Sequence, residues 1–394
     1  MVSVPLFARL YGFNQYGQIM LVVALGNLVT VLTAGWISQS WIRFQMTWEN
    51  RKQILFAISF SIMAAVMVMG VALNISERLI ATTWNLTFTN YCAGITLTIG
   101  MLLYYIIHAG LQSAMKSKYV LVIAMLLSVL NFFFPLVSYF IYSNINGYIF
   151  SVGFAYIISA IVGLFLFPKL GEIANLKRTK LSQWLKYGLP LSIWLSLQAA
   201  IPFLERLFIQ FYMDAEMVGR YSALSELITK GFSLVLFPLT MAIHPVMVQL
   251  WNRNKQNQAI ILWYQILKLL GISFLIFSSV YFIINAQILK VLNQLMGADY
   301  KYSLGLLTLL VAAGFLWQAN LLFHKPLELI KRTHTMTSLM MISLIAMSII
   351  ALIFVPLYGL IGVAMSTFIG ALSYSTMSLV YGIIIVKRKE NKIQ

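Results

Sequence analysis

The sequence is poor in cysteine and in charged residues. Cys92 is the only cysteine among 394 residues, which excludes a disulfide within the chain and a metal site built on cysteines. Charged residues make up 9% of the chain and only 10 of them are acidic, whereas soluble domains carry about 25% charged residues. The chain also lacks a Walker-type phosphate loop and the spacing of a catalytic triad. We therefore expect no cofactor, no direct use of ATP and no enzymatic centre.

Long apolar segments take the place of the missing charges. Hydrophobic residues form 61% of the chain and the mean hydropathy is +0.87. Eleven apolar runs have about the 20 residues that a helix needs to cross a bilayer. Because lipid cannot pair with backbone polar groups, such runs must be helical. The sequence predicts an all-α polytopic membrane protein with about eleven transmembrane helices. The runs cover residues 18–42, 54–73, 81–107, 119–142, 148–167, 187–211, 217–244, 259–284, 303–323, 335–355 and 360–386.

The basic residues orient these spans. The net charge of +17 is compatible with nucleic-acid binding, but lysine and arginine also accumulate in the cytoplasmic loops of membrane proteins. Here they concentrate in alternate connections, such as residues 177–180, and in the tail at 387–392. The positive-inside rule places these connections and the C-terminus in the cytoplasm. We expect a protein of the bacterial inner membrane that contacts membrane lipids and binds no nucleic acid.

A weak internal echo predicts two repeated halves. Residues 6–11 read LFARLY and residues 207–212 read LFIQFY, and each segment is followed by a turn and a glycine, Gly17 or Gly219. Internal repeats are common in transporters. We predict an N-terminal bundle at 1–170, a cytoplasmic linker at 171–186 and a C-terminal bundle at 187–394. The counterpart of residues 187–206 is missing from the first half, so we expect the N-terminal residues to be only the outer end of a first helix.

Several charges fall inside the apolar runs of the second half. A charge at membrane depth is costly, and it usually faces the bundle interior or a water-filled cavity. We therefore expect the cations to line a cavity, while each acid is either an ion-coupling group or the partner of a nearby cation. Structural ion pairs and snorkelling to the interface remain alternatives. The cations are Arg206, Arg220, Lys230 and Lys268, and the acids are Glu205 and Glu226.

Other polar and aromatic residues are predicted to be structural. The four histidines, His108, His244, His324 and His334, lie near span ends without the spacing of metal ligands, so we expect no metal site. Aromatic residues near the span ends fit the interfacial belts of membrane proteins. These include Trp41, Trp48, Trp184 and Tyr302.

Five segments in conserved order resemble a known family. They are PLFARLYGFNQYGQ at 5–18, WLKYGLPL at 184–191, LERLFIQFYMDAEMVGRYSA at 204–223, LMGADYKYS at 295–303 and VPLYGLIGVAMSTFIG at 355–370. Together they are similar to the O-antigen and capsule flippases of the multidrug/oligosaccharidyl-lipid/polysaccharide (MOP) exporter superfamily. The resemblance implies twelve helices in two halves and the transfer of an undecaprenyl-pyrophosphate-linked oligosaccharide to the periplasmic leaflet. The family often has Asp-Arg where this chain has Glu205-Arg206.

The resemblance gives the cavity cations a role. Arginine binds phosphate oxygens with two parallel hydrogen bonds and stays charged, so Arg206, Arg220, Lys230 and Lys268 would bind the pyrophosphate. Other polysaccharide-assembly proteins are expected partners. Two alternatives remain open: a drug or metabolite antiporter of the same superfamily, and an integral-membrane glycan polymerase or ligase. The longest external connection, about 285–302, carries a single acid, Asp299, which counts against an enzyme.

Overall fold

The part of the chain that the computed structural model describes is entirely helical in its regular structure. It comprises residues 3–44, 51–79, 88–166, 181–253, 255–297, 302–330 and 332–390. The helices are α1 (Ser3–Phe44), α2 (Arg51–Leu79), α3 (Phe88–Ser113), α4 (Ser117–Tyr142), α5 (Ile145–Phe165), α6 (Leu181–Tyr212), α7 (Ala215–Asn252), α8 (Gln256–Met296), α9 (Leu304–Phe323), α10 (Lys325–Leu329), α11 (Thr333–Tyr358) and α12 (Leu360–Glu390). All except α10 are long and apolar enough to cross a membrane. The predicted all-α membrane fold with eleven spans is confirmed.

Two helices extend well beyond the predicted spans. Helix α1 starts at Ser3 and contains a break at Gly12, where φ is 72° and ψ is 154°, a conformation that only glycine adopts without strain. Helix α8 continues to Met296, although Asn285 and Gln287 lower the hydropathy there. The less exposed side chains at the end of α8 recur with the spacing of one helix face. They belong to residues 281, 285, 288, 289, 292 and 296. The external connection predicted at 285–302 is therefore mostly helix.

The described residues pack as two compact units with boundaries that differ from the predicted ones. One unit is Leu10–Gly219, and the other combines Met1–Arg9 with Arg220–Gln394. Helix α6, predicted to open the C-terminal bundle, belongs to the first of these. Residues 171–180 of the predicted linker, with the basic run at 177–180, lie outside the described residues, and residues 181–186 begin α6. The functional division at 171–186 stays a prediction.

Close contacts between α1 and α6 explain why α6 belongs to the 10–219 unit. Ser40 Oγ donates to the carbonyl of Trp184 at 2.8 Å, and Ser192 Oγ donates to the carbonyl of Val31 at 2.8 Å. Two glycines allow this approach, because a Cβ at Gly35 would lie 2.6 Å from Ser192 Oγ and a Cβ at Gly188 would overlap the backbone of α1. Small residues and hydroxyl groups are the usual means by which membrane helices pack.

The start of α7 crosses α1 within the same unit. A Cβ at Gly17 would overlap the carbonyl oxygen of Ala215, and a Cβ at Gly219 would overlap the carbonyl oxygen of Phe13. The contact is reciprocal, because each glycine faces the residue four positions before the other glycine. Two segments related by a two-fold axis make such a contact. These are the two glycines that follow the echoed segments 6–11 and 207–212, so the geometry agrees with the predicted repeat.

In the 220–394 unit, the core lies where α7, α8, α9 and α12 meet. Trp263 of α8 is 1% exposed, and its indole donates to the carbonyl of Leu322 at 3.1 Å. Leu322 and Phe323 of α9 and Val386 of α12 belong to the same cluster. Outward-facing residues are apolar instead of polar, for example Phe282 and Ile283 of α8, which are 67% and 76% exposed. Lipid acyl chains can cover such a surface, whereas water disfavours it.

The predicted aromatic belt is wrong for three of its four residues. Trp41, Trp184 and Tyr302 are 6%, 0% and 3% exposed, so they pack inside the protein. An interfacial aromatic side chain needs one exposed end, which these lack. Trp48 lies outside the described residues.

Candidate functional site

Helix α6 carries two charged side chains and an amide that are all buried. Glu205, Arg206 and Gln210 are 7%, 5% and 7% exposed, and each interacts with other groups of the protein. Arg206 Nη1 also donates to the carbonyl of Pro202 at 3.2 Å. A buried charge is tolerated only when it is paired and hydrogen-bonded. In this conformation, Arg206 is therefore held by the protein and shielded from solvent.

Arg220 is the first residue of the 220–394 unit in helix α7. It is 7% exposed, and its side chain or backbone interacts with further groups. Its carbonyl oxygen accepts a hydrogen bond of 2.9 Å from the hydroxyl of Tyr302. The backbone nitrogen of Tyr302 in turn donates to Asn293 Oδ1 of α8 at 2.9 Å. Tyr302 thus fixes the start of this part of α7 to the end of α8.

About two to three turns after Arg220, helix α7 presents a polar face. Lys230 Nζ lies 2.7 Å from Glu226 Oε2, with 47% of the lysine side chain and 26% of the glutamate side chain exposed. The two residues form an i,i+4 pair, so Glu226 is the partner of a nearby cation, which is one of the two roles expected for the acids. Ser233 continues the face and accepts a hydrogen bond of 2.9 Å from Gln318 of α9. Lys230 is therefore an accessible cation beside its own counterion.

Lys268 differs from the other three predicted cations. It lies on α8, its side chain is exposed, and within the described residues no acid pairs with it. The sequence analysis grouped it with Arg206, Arg220 and Lys230 as a pyrophosphate ligand. Within this set of side chains, Glu226 and Lys230 are in direct contact, and the substrate role of all four cations stays a prediction.

A further polar cluster was missed by the sequence analysis. His244 of α7 meets His324, Lys325 and Glu328 at the junction of α9 and α10, where Lys325 Nζ is 2.6 Å from Glu328 Oε2. Lys325 lies between the predicted spans 303–323 and 335–355, yet it is 6% exposed. In the sequence, Glu328 follows His324 by four residues and Lys325 by three. This helical spacing was the signal that could have indicated the cluster. The fourth member lies 81 positions from Lys325, beyond the reach of any local pattern.

The described residues contain no group of three or more histidine, cysteine, aspartate or glutamate side chains that could hold a metal ion. The charged groups are thus suited to ion pairing, to proton binding and to contact with an anion.

Comparison with known proteins gives a family for the sequence and a fold for the structure. The family described as polysaccharide biosynthesis protein matches residues 1–251. No curated protein sequence matches this chain.

Solved structures of transporters share the fold over nearly the whole chain. An inward-facing multidrug resistance MATE family transporter of the MOP superfamily is 14% identical with a TM-score of 0.69, and the alignment covers 99% of this chain and 96% of that one. A MOP superfamily transporter from Pyrococcus furiosus, whose binding pocket is described as having reversed polarity, is 15% identical with a TM-score of 0.64, covering 98% of this chain and 91% of that one. An outward-facing multidrug resistance MATE family transporter of the MOP superfamily is 14% identical with a TM-score of 0.60, and the alignment covers 98% of this chain and 93% of that one.

Proposed function

Since the chain belongs to the polysaccharide biosynthesis protein family, we propose that it is a flippase for a lipid-linked oligosaccharide. Its substrate would be an undecaprenyl-pyrophosphate-linked repeat unit of O-antigen or capsule. It would move this substrate by alternating access from the cytoplasmic to the periplasmic leaflet of the bacterial inner membrane, with its own C-terminus in the cytoplasm. The family match over residues 1–251 and the transporter fold support this assignment.

The observation that carries the proposal is the excess of cations in the apolar helices α6 to α8. Within the apolar runs of these helices, at 187–211, 217–244 and 259–284, four cations, Arg206, Arg220, Lys230 and Lys268, stand against two acids, Glu205 and Glu226. The substrate has an anionic pyrophosphate and a polar glycan, neither of which crosses hydrocarbon unaided. Cations at membrane depth would offset the hydration that the pyrophosphate loses. Arginine suits this role because its planar group bonds two phosphate oxygens at once.

The cations divide into two groups by burial. Lys230 and Lys268 are exposed and could meet the substrate without rearrangement. Arg206 and Arg220 are buried and already engaged, so they would bind phosphate only after exchanging their present partners. Alternating access supplies such an exchange, since a transporter must alter the surroundings of its site between its two states.

The other two functions fit these charges less well. A drug or metabolite antiporter for cationic substrates would need a site dominated by acids, whereas the cations here outnumber the acids. A polymerase or ligase would need an external loop to hold catalytic groups. Since α8 continues to Met296, the connection before α9 is shorter than the sequence suggested, and it offers little room for such a site.

Variants of Arg206 test the proposal in cells that need the gene for glycan export. Arg206→Ala removes one charge-assisted contact, worth roughly 1.5–3 kcal/mol, so export should fall about tenfold or more. Arg206→Lys should recover only part of the loss. Arg253→Ala is the matched control, because it removes an exposed arginine at the end of α7 and should leave export unchanged.

Protein accumulation must be measured alongside export, because removing Arg206 alone leaves the buried carboxylate of Glu205 with one cation fewer nearby. The double variant Glu205→Gln with Arg206→Gln removes both charges. Normal accumulation without export would support contact with the substrate. Normal export by the double variant would mean that the pair is structural and that Arg206 does not bind pyrophosphate.

A further inference from the structure

Four titratable or charged side chains meet at the end of the 220–394 unit where α7 and α9 finish. Lys325 Nζ lies 2.6 Å from Glu328 Oε2 and 2.9 Å from His244 Nδ1. His324 Nε2 is 4.0 Å from Glu328 Oε2, too far for a hydrogen bond. The cluster therefore has one carboxylate, one ammonium and two imidazoles, and the His244 imidazole contacts the ammonium.

The contact with Lys325 fixes the protonation state of His244 in this structure. A lysine ammonium has three donors and no acceptor, so Nδ1 of His244 must accept through its lone pair. His244 is thus neutral here, with its proton on Nε2. The same Nδ1 atom is 3.5 Å from Glu328 Oε1. One nitrogen therefore faces a donor and an acceptor, and it can serve only one of them at a time.

We propose that His244 is a proton-binding site that switches the partners of Lys325 and Glu328. When Nδ1 is protonated, it can no longer accept from Lys325, and it becomes a donor to Glu328 Oε1. The two cations then repel each other and share a single carboxylate. Proton binding thus replaces the Lys325–His244 hydrogen bond with a His244–Glu328 ion pair. The atoms balance, since the only species added is one proton from water.

Because part of the cluster is buried, the exchange of partners changes strong electrostatic interactions. The His244 side chain is 40% exposed, whereas the Lys325 and His324 side chains are 8% and 3% exposed. Charges interact more strongly where water is excluded. The groups that act electrostatically on His244 are Glu328 and Lys325 of α10. His324 completes the set, and the Tyr374 ring of α12 lies 6.3 Å from the His324 ring.

The exchange would change the polar contacts between α7 and the α9–α10 segment. The polar links between α7 and the α9–α10 segment include Ser233 with Gln318, and His244 with Lys325. Protonation of His244 removes the second link and creates a different one, to Glu328, one turn further along α10. A proton would therefore change the contact between two helices independently of the molecule that the protein carries.

Histidine NMR of the full-length protein in nanodiscs tests this directly. The chain has only four histidines, so a single His→Gln variant of each assigns every imidazole signal. In wild type, the signal lost in His244→Gln should shift with pH as the imidazole binds a proton. Glu328→Gln should weaken proton binding at His244 by about tenfold or more, because it removes a charge-assisted acceptor. Lys325→Met should strengthen it, because it removes the competing cation.

His108 lies in the 10–219 unit and serves as the matched control, since its signal should not respond to Glu328→Gln. A His244 signal whose midpoint is the same in wild type, Glu328→Gln and Lys325→Met would overturn the proposal.

A second measurement avoids charge changes in the ion pair. The pH dependence of the apparent melting temperature should flatten in His244→Gln and persist in His334→Gln, which alters an exposed histidine. Equal pH dependence in both variants would also overturn it. Neither readout requires glycan export, so failure here leaves the flippase assignment untouched.

Discussion

The crossing of Gly17 and Gly219 predicts a specific loss of stability when either glycine gains a methyl group. A Cβ at Gly17 would overlap the carbonyl oxygen of Ala215 and lie 2.7 Å from the Gly219 nitrogen. Overpacking costs about 1–3 kcal/mol, and the upper part of this range applies because the obstacle is backbone. Alanine returns roughly 1 kcal/mol through its higher helix propensity. We expect Gly17→Ala to be destabilising by about 1–2 kcal/mol.

A second glycine provides the matched control for this prediction. Gly70 of α2 has no atom within 4 Å of a built Cβ, so Gly70→Ala should be neutral or stabilising by roughly 0.5–1 kcal/mol. The assay is thermal unfolding of the purified protein in one detergent at one scan rate, followed by the fluorescence of its 9 tryptophans. Gly17→Ala should melt below wild type and Gly70→Ala at or above it. Equal melting of the two variants would refute the close crossing.

The reciprocal contact also predicts the stability of the double variant, Gly17→Ala with Gly219→Ala. If Gly17→Ala separates the helices, the second methyl at Gly219 meets a gap that is already wider. The cost of the double variant should therefore be smaller than the sum of the two single costs, as expected for residues in contact. Additive costs would mean that the two glycines occupy independent contacts, and the apparent two-fold relation would lose its structural support.

Two other predictions concern α7 and the orientation of the chain. Tyr302→Phe removes the hydroxyl that donates to the Arg220 carbonyl, so the free energy of unfolding should fall by about 1 kcal/mol. Tyr358→Phe alters an exposed tyrosine and should leave the stability unchanged. Equal melting temperatures of the two variants would contradict the role of Tyr302. A reporter fused after Gln394 should be active only in its cytoplasmic form, and periplasmic activity there would reverse the predicted topology.

The positions of the spans were predictable from sequence because membrane insertion depends on local hydropathy. Each of the eleven predicted runs coincides with one long helix. The helix ends were harder to predict, since polar side chains such as Asn285 and Gln287 continue a helix once a neighbouring helix covers its inner face. Hydropathy measures preference for lipid, whereas the extent of α8 depends on contacts with the rest of its unit.

The candidate site was only partly predictable for the same reason. The Glu226–Lys230 pair is local, and the i,i+4 spacing was enough to find it. Lys325 looks like a loop lysine beside a proline, and its burial depends on Glu328 and on His244, which comes from a distant part of the sequence. The grouping of α6 with α1 likewise rests on Ser192 and Gly188, whose small size has no hydropathy signal.

Lys268 offers the cleanest test of whether a cation in these helices serves the substrate. An acidic partner complicates any mutation of Lys230, because removing the lysine leaves Glu226 without the ion pair seen here. Lys268 is exposed, and no described acid pairs with it. The variant Lys268→Met therefore leaves no carboxylate without its ion-pair partner. A lysine at this depth must still reach water, since burying an ammonium in lipid costs roughly 2.5–3.5 kcal/mol. We therefore expect Lys268→Met to accumulate normally or better and to lose most of its export.

The matched control lies on the same helix. Lys290 is also exposed and stands about 33 Å further along α8 at 1.5 Å per residue, so Lys290→Met should keep normal export. Lys268→Arg should retain export, because it preserves the charge and can still bind phosphate oxygens. Unchanged export in Lys268→Met would show that this lysine only snorkels to the membrane surface. Equal losses in Lys268→Met and Lys290→Met would show that α8 needs positive charge along its whole length, and a localised pyrophosphate contact at Lys268 would then be wrong.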